Sequence, residues 1–289
     1  MYCHRWLALL VLSTTSLPAL SADPPLLRAL FVGVGTYQNA EAAGLRELRG
    51  PANDVIAVKT VVSDRFGLKG ANTAVLLNEQ ATRSALLDAI KKVLVDDAKS
   101  GDVALFYFSC HGSRVFDASS DEPSKFDSTI LPYDARAQTG QALDIIDDEL
   151  GAIVSASLAK GVKPIVILDS CNSGTGIRFQ AQARYAPPIK RVAAVAAAAS
   201  APRSMREIAT EHGTLLAAAQ DTEEALEMER EGVVHGEFTR ALVAVLKSAE
   251  TDVTYLDVLT RVRVSLAELG VPRRPQGEGD LQQRLLGTG

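Results

Sequence analysis

Five short, almost unbroken apolar runs set the limits on what this chain can fold into: "LLRALFVGVGTY", "NTAVLLNE", "DVALFYFSCHG", "KPIVILDSC" and "GTLLAAAQ". Runs of this kind, lacking the alternation of a sheet with one wet face, belong to strands buried on both sides. Helix patterns lie between them. "NDVIAVKTVVSDRFG" opens on an Asn/Asp cap and stops at Gly67, and "TRSALLDAIKKVLVDDAKSG" opens at Thr82 and stops at Gly101. "DDELGAIVSASLAKG" follows the third run, while "GEFTRALVAVLKSAE" and "TYLDVLTRVRVSLAELG" follow the fifth. The alternation predicts an α/β/α sandwich around a mostly parallel central sheet, with its chemistry outside the carboxyl ends of the strands.

The 289 residues are 47% hydrophobic and carry a net charge of −5, enough apolar material for a sizeable core. No Lys/Arg run marks a nucleic-acid surface, so no nucleic-acid partner is expected. The first residues, "MYCHRWLALLVLSTTSLPALSADPP", combine a basic start, an apolar run over 6–12 and small residues Ala19, Ser21 and Ala22. That pattern reads as a signal peptide over residues 1–22, and its apolar run falls far short of the ~20 residues needed to span a bilayer. The expectation is an exported protein, periplasmic or extracellular, with no membrane anchor in its mature form. Residues 23–289 are expected to form a single domain and a monomer.

Removal of the signal would leave Cys110 and Cys171. An oxidising compartment permits a disulfide between them, but each sits among small polar residues at the end of an apolar run, a setting for a reactive group. His111 and Cys171 both fall just past strand ends, and right-handed crossovers would bring the third and fourth ends to one rim. A thiolate is a strong nucleophile, and an imidazole beside it can take the thiol proton and pass it to a leaving amine, which is acyl-transfer chemistry. "GVG" at 33–35 lacks the third glycine and the immediate helix of a dinucleotide loop.

"SCHG" at 109–112 and "DSCNSG" at 169–174, in that order, resemble the His-Cys dyad of the caspase-like cysteine peptidases of the metacaspase and orthocaspase type. "LRGPANDV" (48–55), "FDSTILPYDA" (126–135), "IIDDEL" (145–150), "GEFTRALVAVL" (236–246) and "RRPQGEGD" (273–280) extend the resemblance along the chain. It implies a caspase-like sandwich and a cysteine endopeptidase with Cys171 as nucleophile and His111 as general base. The domain would then divide into a large-subunit-like part (23–175), a connecting loop (175–214) and a small-subunit-like part (214–289). Asp54, Ser109 and Asp169 are implied as the pocket for the residue before the cut bond (P1). Carboxylates there would favour protein or peptide substrates with Arg or Lys at P1. A catalytically silent, partner-binding caspase-like domain is the alternative.

Asn172 stands where the family commonly has His, and Pro51 near a usual Cys. The chemistry requires no cofactor. Calcium is the one ion the resemblance implies, with Asp127, Asp147 and Asp148 as its ligands, but Arg178 occupies the place of an expected fourth aspartate. Asp147 and Asp148 also suit the start of a helix, so weak or no calcium dependence is expected. The 175–214 segment, with Arg178, Arg184, Lys190, Arg191, Arg203 and Arg206 around an Ala-rich tract, is expected to be a long mobile loop, either self-cleaved or simply solvated.

Overall fold

The five continuous apolar runs become five strands of a six-stranded sheet in a computed structural model that describes residues 24–116, 126–137, 144–170, 181–187, 213–219, 223–250, 252–271 and 273–287. The expected signal segment, Cys171 and most of the 175–214 segment lie outside the described residues. In chain order the elements begin β1 (Leu27–Gly33), α1 (Ala40–Ala43), α2 (Pro51–Phe66), β2 (Thr73–Leu77), α3 (Arg83–Lys91), β3 (Val103–Ser109), β4 (Gly112–Phe116) and β5 (Phe126–Ile130). There follow β6 (Ile145–Ile146), α4 (Asp147–Ala159), β7 (Lys163–Asp169), β8 (Ala181–Ala183), β9 (Thr214–Ala217), β10 (Leu226–Arg230) and β11 (Val233–Gly236). The chain closes with α5 (Glu237–Ser248), α6 (Tyr255–Glu268) and β12 (Gln276–Gly279).

The main sheet has the order β12-β9-β7-β3-β1-β2, and all its pairings are parallel except β12 with β9. Alternate strand residues feed two cores. Ala29, Phe31, Leu105, Tyr107, Ile165 and Ile167 pack with α2, α5 and α6 on one face. Leu30, Val32, Ala104, Phe106, Phe108 and Val166 pack with α3 and α4 on the other. This is the three-layer sandwich with a mostly parallel sheet that the apolar runs predict.

Two small antiparallel sheets, β4-β5-β6 and β11-β10-β8, stand beyond the carboxyl ends of the main strands. They were not evident in the sequence. The first lies between the third strand and α4, so α4 follows a hairpin rather than the strand itself. The second contains β8, which belongs to the stretch expected to be a mobile loop: residues 181–183 are a strand paired with β10, and Arg184 next to them is fully buried. Among the described residues no helix is long and apolar enough to cross a membrane.

Helix ends aim the sheet's carboxyl edge. At Gly33 a Cβ would come within 2.7 Å of the Pro51 carbonyl oxygen, so only glycine lets the first turn of α2 approach β1 this closely. That approach carries Asp54, in the same turn, to the ends of β3 and β7.

Leu105 is 1% exposed at the centre of the sheet, whereas Ile56 on α2 is 60% exposed. Leu105→Ala should cost about 2–5 kcal/mol in urea unfolding through the cavity it leaves, and Ile56→Ala less than about 0.5 kcal/mol. Equal losses would contradict this division of core and surface.

Candidate active site

Parallel register makes Gly33, Ser109 and Asp169 neighbours at the ends of β1, β3 and β7. Asp54 reaches in from α2, and its Oδ2 accepts the Ser109 hydroxyl at 3.0 Å. Asp54, Ser109 and Asp169 are all fully buried. Asp169 Oδ2 accepts the Thr239 hydroxyl at 2.5 Å and the Thr239 amide at 3.2 Å. Asp54 Oδ1 pairs with His235 Nδ1 at 2.8 Å and accepts the Gly236 amide at 3.1 Å. The three residues that the resemblance implies for a pocket therefore share one enclosed space.

A guanidinium fills that space. Arg184 is 0% exposed, and its Nη2 lies 2.6 Å from Asp54 Oδ2 and 3.5 Å from Glu227 Oε2. Its Nη1 donates to Ser109 Oγ at 2.7 Å and lies 3.2 Å from Asp169 Oδ1. Glu227 is itself tied down, accepting the amides of Arg49 and Gly50 at 2.9 and 3.0 Å. Glycines shape the walls: a Cβ at Gly50 would meet Arg184 Nη2 at 2.5 Å, and one at Gly236 would meet Asp169 Oδ2 at 2.1 Å.

Burial raises the Asp54 carboxyl, but the charge of Arg184 and the hydrogen bonds of His235 and Arg184 outweigh it and leave Asp54 below its usual range. Asp169 goes the other way. Burial, aided by the charge of Asp54 and opposed by Arg184, pushes it up to about 6. Burial also opposes the Arg184 charge, yet Asp169, Asp54 and Glu227 hold its pKa well above the ordinary value.

His111 leaves β3 two residues past Ser109, as Cys171 follows Asp169 by two residues in sequence. The ring is 1% exposed, stacks on Tyr37 at a centroid distance of 5.3 Å, and its amide donates to the Tyr37 hydroxyl at 2.9 Å. Nε2 lies 2.7 Å from the Arg46 carbonyl oxygen, so in the neutral ring Nε2 carries the proton and Nδ1 is left to accept one. Nδ1 has no hydrogen-bond partner among the described residues. Burial pushes the ring down to about 4; the carbonyls of Arg46 and Arg184 favour the charged form without offsetting it. A neutral imidazole with one bare nitrogen can act as a general base.

Cys171, the implied nucleophile, lies outside the described residues. Cys110 is a fully buried thiol whose sulfur donates to the His111 carbonyl at 2.9 Å. Asp127 lies on β5 opposite Val115, while Asp147 and Asp148 form the first turn of α4. No group of three or more His, Cys, Asp or Glu side chains is placed to hold a metal among the described residues. Asp147 and Asp148 suit that helix start, where carboxylates match the dipole and Glu149 accepts the Ile146 amide at 3.3 Å. Arg184, Glu227, His235 and Tyr37 belong to the site without having been singled out for it from the sequence. Arg184 was noted there only as one basic residue of a loop.

The metacaspase, peptidase C14 domain family model matches residues 27–180. Metacaspase-1B of Aspergillus fumigatus is 34% identical over 156 residues, 52% of this chain and 36% of that protein. Metacaspase-1 of Schizosaccharomyces pombe is 35% identical over 153 residues, 51% of this chain and 34% of that protein. The match thus spans about a third of the length of these curated relatives. The crystal structure of protein GSU0716 from Geobacter sulfurreducens shares the fold, with a TM-score of 0.62 at 22% identity, covering 91% of this chain and 99% of that one. With more than half of its length matched by the family model, and with the family's His-Gly and Asp-Ser-Cys motifs at its strand ends, the chain belongs to the metacaspase family.

Proposed function

We propose that the protein is a cysteine endopeptidase that cuts after arginine or lysine, with Cys171 as nucleophile and His111 as base. The observation that carries the specificity is the Arg184 guanidinium held by Asp54, Asp169, Glu227 and the Ser109 hydroxyl beside the His111 ring. A space that holds one guanidinium on carboxylates suits a second one from a substrate and repels an acidic side chain. Nδ1 of His111 takes the Cys171 proton, the sulfur adds to the carbonyl carbon, and the imidazolium returns the proton to the departing amine. The Gly112 amide, which already donates to a peptide carbonyl at 3.0 Å, supports the negative charge that develops on that oxygen. Export rests on the pattern of the first residues, and mass analysis of the secreted protein tests it.

Peptides differing only at P1 test the reading. Arg and Lys substrates should turn over, an Asp substrate should not, and Cys171→Ala and His111→Ala should each lose several orders of magnitude in kcat/KM. An intact, folded protein that hydrolyses none of them and resists an arginine-ended thiol-reactive probe would be the silent alternative. Asp169→Asn should weaken turnover of Arg substrates, because it removes part of the charge that matches a desolvated guanidinium.

The neutral His111 ring has a stability signature. Its folded pKa of about 4 lies below the ordinary 6.5, so the unfolded chain binds the extra proton between those values and stability falls as the pH drops through that window. Between pH 7 and pH 5 the wild type should lose about 2 kcal/mol more unfolding free energy than His111→Gln. Equal losses in urea titrations would mean that the ring charges freely in the folded state.

A further inference from the structure

The two small sheets hold residues 181–187 on opposite sides of Arg184. Upstream, Ala183, Gln182 and Ala181 pair with β10. Downstream, the contacts come from β4 and from residues flanking the β4-β5-β6 sheet. Gly112, at the start of β4, pairs in parallel with Tyr185: its amide donates to the Arg184 carbonyl at 3.0 Å, and its carbonyl accepts the Ala186 amide at 2.9 Å. Ala186 is 0% exposed, in one apolar cluster with Leu131, Ala135 and Ile145. Pro187 is exposed, and its carbonyl accepts Arg136 Nη1 at 2.7 Å and the Ser113 hydroxyl at 3.2 Å.

Arg136 is held so that it can make that contact. Its Nε lies 3.0 and 3.1 Å from the two Asp144 oxygens and its Nη2 2.8 Å from Oδ2, so one edge of the guanidinium is taken by a fully buried carboxylate. Nη1 is left to donate outward. Asp144 is fixed in turn by the Thr129 hydroxyl at 3.2 Å. Arg136 also has a φ of 62°, a left-handed conformation uncommon outside glycine, and backbone strain of this kind gathers at ligand-binding positions. Because Asp144 balances its charge, the site offers a carbonyl a donor without offering an anion a net charge.

We propose that Gly112, Ser113 and Arg136 form a subsite for the leaving side of a peptide substrate. They hold three residues after the cut bond in extended form, admitting only glycine or alanine at the second place and any side chain at the third. The proposal rests on the peptidase reading above. Residues 185–187 mark the track, and backbone donors read whichever extended peptide lies along it. The close-packed surroundings of Ala186 leave no room for a longer side chain.

Rates of the full chain on substrates that share one sequence up to the arginine test this. One carries a coumarin amide directly on the arginine, and the others are peptides amidated after two or three further alanines, with cleavage followed by mass spectrometry. In the wild type, the third alanine should raise kcat/KM about tenfold, the worth of a hydrogen bond to a charged donor, and leucine at the second place should lower it at least as much. Arg136→Gln should reduce the gain from the third alanine to about twofold or less. Arg136→Lys keeps a cation beside Asp144 should the Gln variant fold poorly, and it too should lose most of the gain, because an ammonium cannot serve both partners in this geometry. The readout is a ratio within one protein, so changes in folded fraction, or in the hold on residues 185–187, cancel. Hydrolysis of the coumarin substrate and the peptides without a gain from the third alanine, with the same gain in both variants, or with leucine accepted as well as alanine, would overturn the subsite and leave the peptidase reading intact. No hydrolysis of any substrate, the coumarin amide included, would overturn the peptidase reading and the subsite with it.

Discussion

A guanidinium removed from water holds together carboxylates that are also removed from water, and the carboxyl edge of the sheet is organised around that exchange. Asp54 comes from α2, Asp169 from β7 and Glu227 from β10, so Arg184 joins the main sheet to the small β11-β10-β8 sheet through ion pairs and hydrogen bonds. Buried charges of this kind are costly unless every member is paired. The surrounding donors reflect that requirement: Ser109, Thr239, His235 and the amides of Arg49, Gly50 and Gly236 each satisfy an oxygen.

The same balance bears on the proposed selectivity. Without a cation, Asp54, Asp169 and Glu227 would stand in a desolvated space with their charges facing one another, and Asp169 is raised to about 6 even with the arginine present. Neutral side chains leave that repulsion in place, and acidic ones add to it. The recognition of a basic residue proposed above would therefore draw on relief of a strained electrostatic state as much as on the hydrogen bonds formed.

The central strands were legible in the sequence because burial on both faces removes polar residues from them, as "ALFYF" in β3 and "PIVIL" in β7 show. The small sheets were not. "FDSTI" in β5 and "LEMER" in β10 carry polar and charged side chains, several of them buried, such as Asp127, Thr129 and Glu227, so no apolar run marks them. His111 and Asp169 could be found because each ends a readable strand. Arg184 and Glu227 could not, since their shared partners lie far along the chain: 130 residues separate Arg184 from Asp54. Nothing local distinguishes Arg184 from the other basic residues of its loop. Its role arises from tertiary pairing alone.

β10 lies between β11 and β8, so whatever occupies the place of β8 is read first through its backbone. Without that neighbour, β10 offers an open row of amides and carbonyls, with Gly112 and Ala225 continuing it around the place of Arg184. Such a row accepts any chain able to lie extended for about seven residues, some 23 Å, whatever its side chains away from the pocket. A basic residue inside a helix satisfies its own backbone hydrogen bonds and cannot enter. Under the proposed activity the fold would measure local unfolding as well as charge, and exposed, extensible segments of otherwise folded proteins would be its targets.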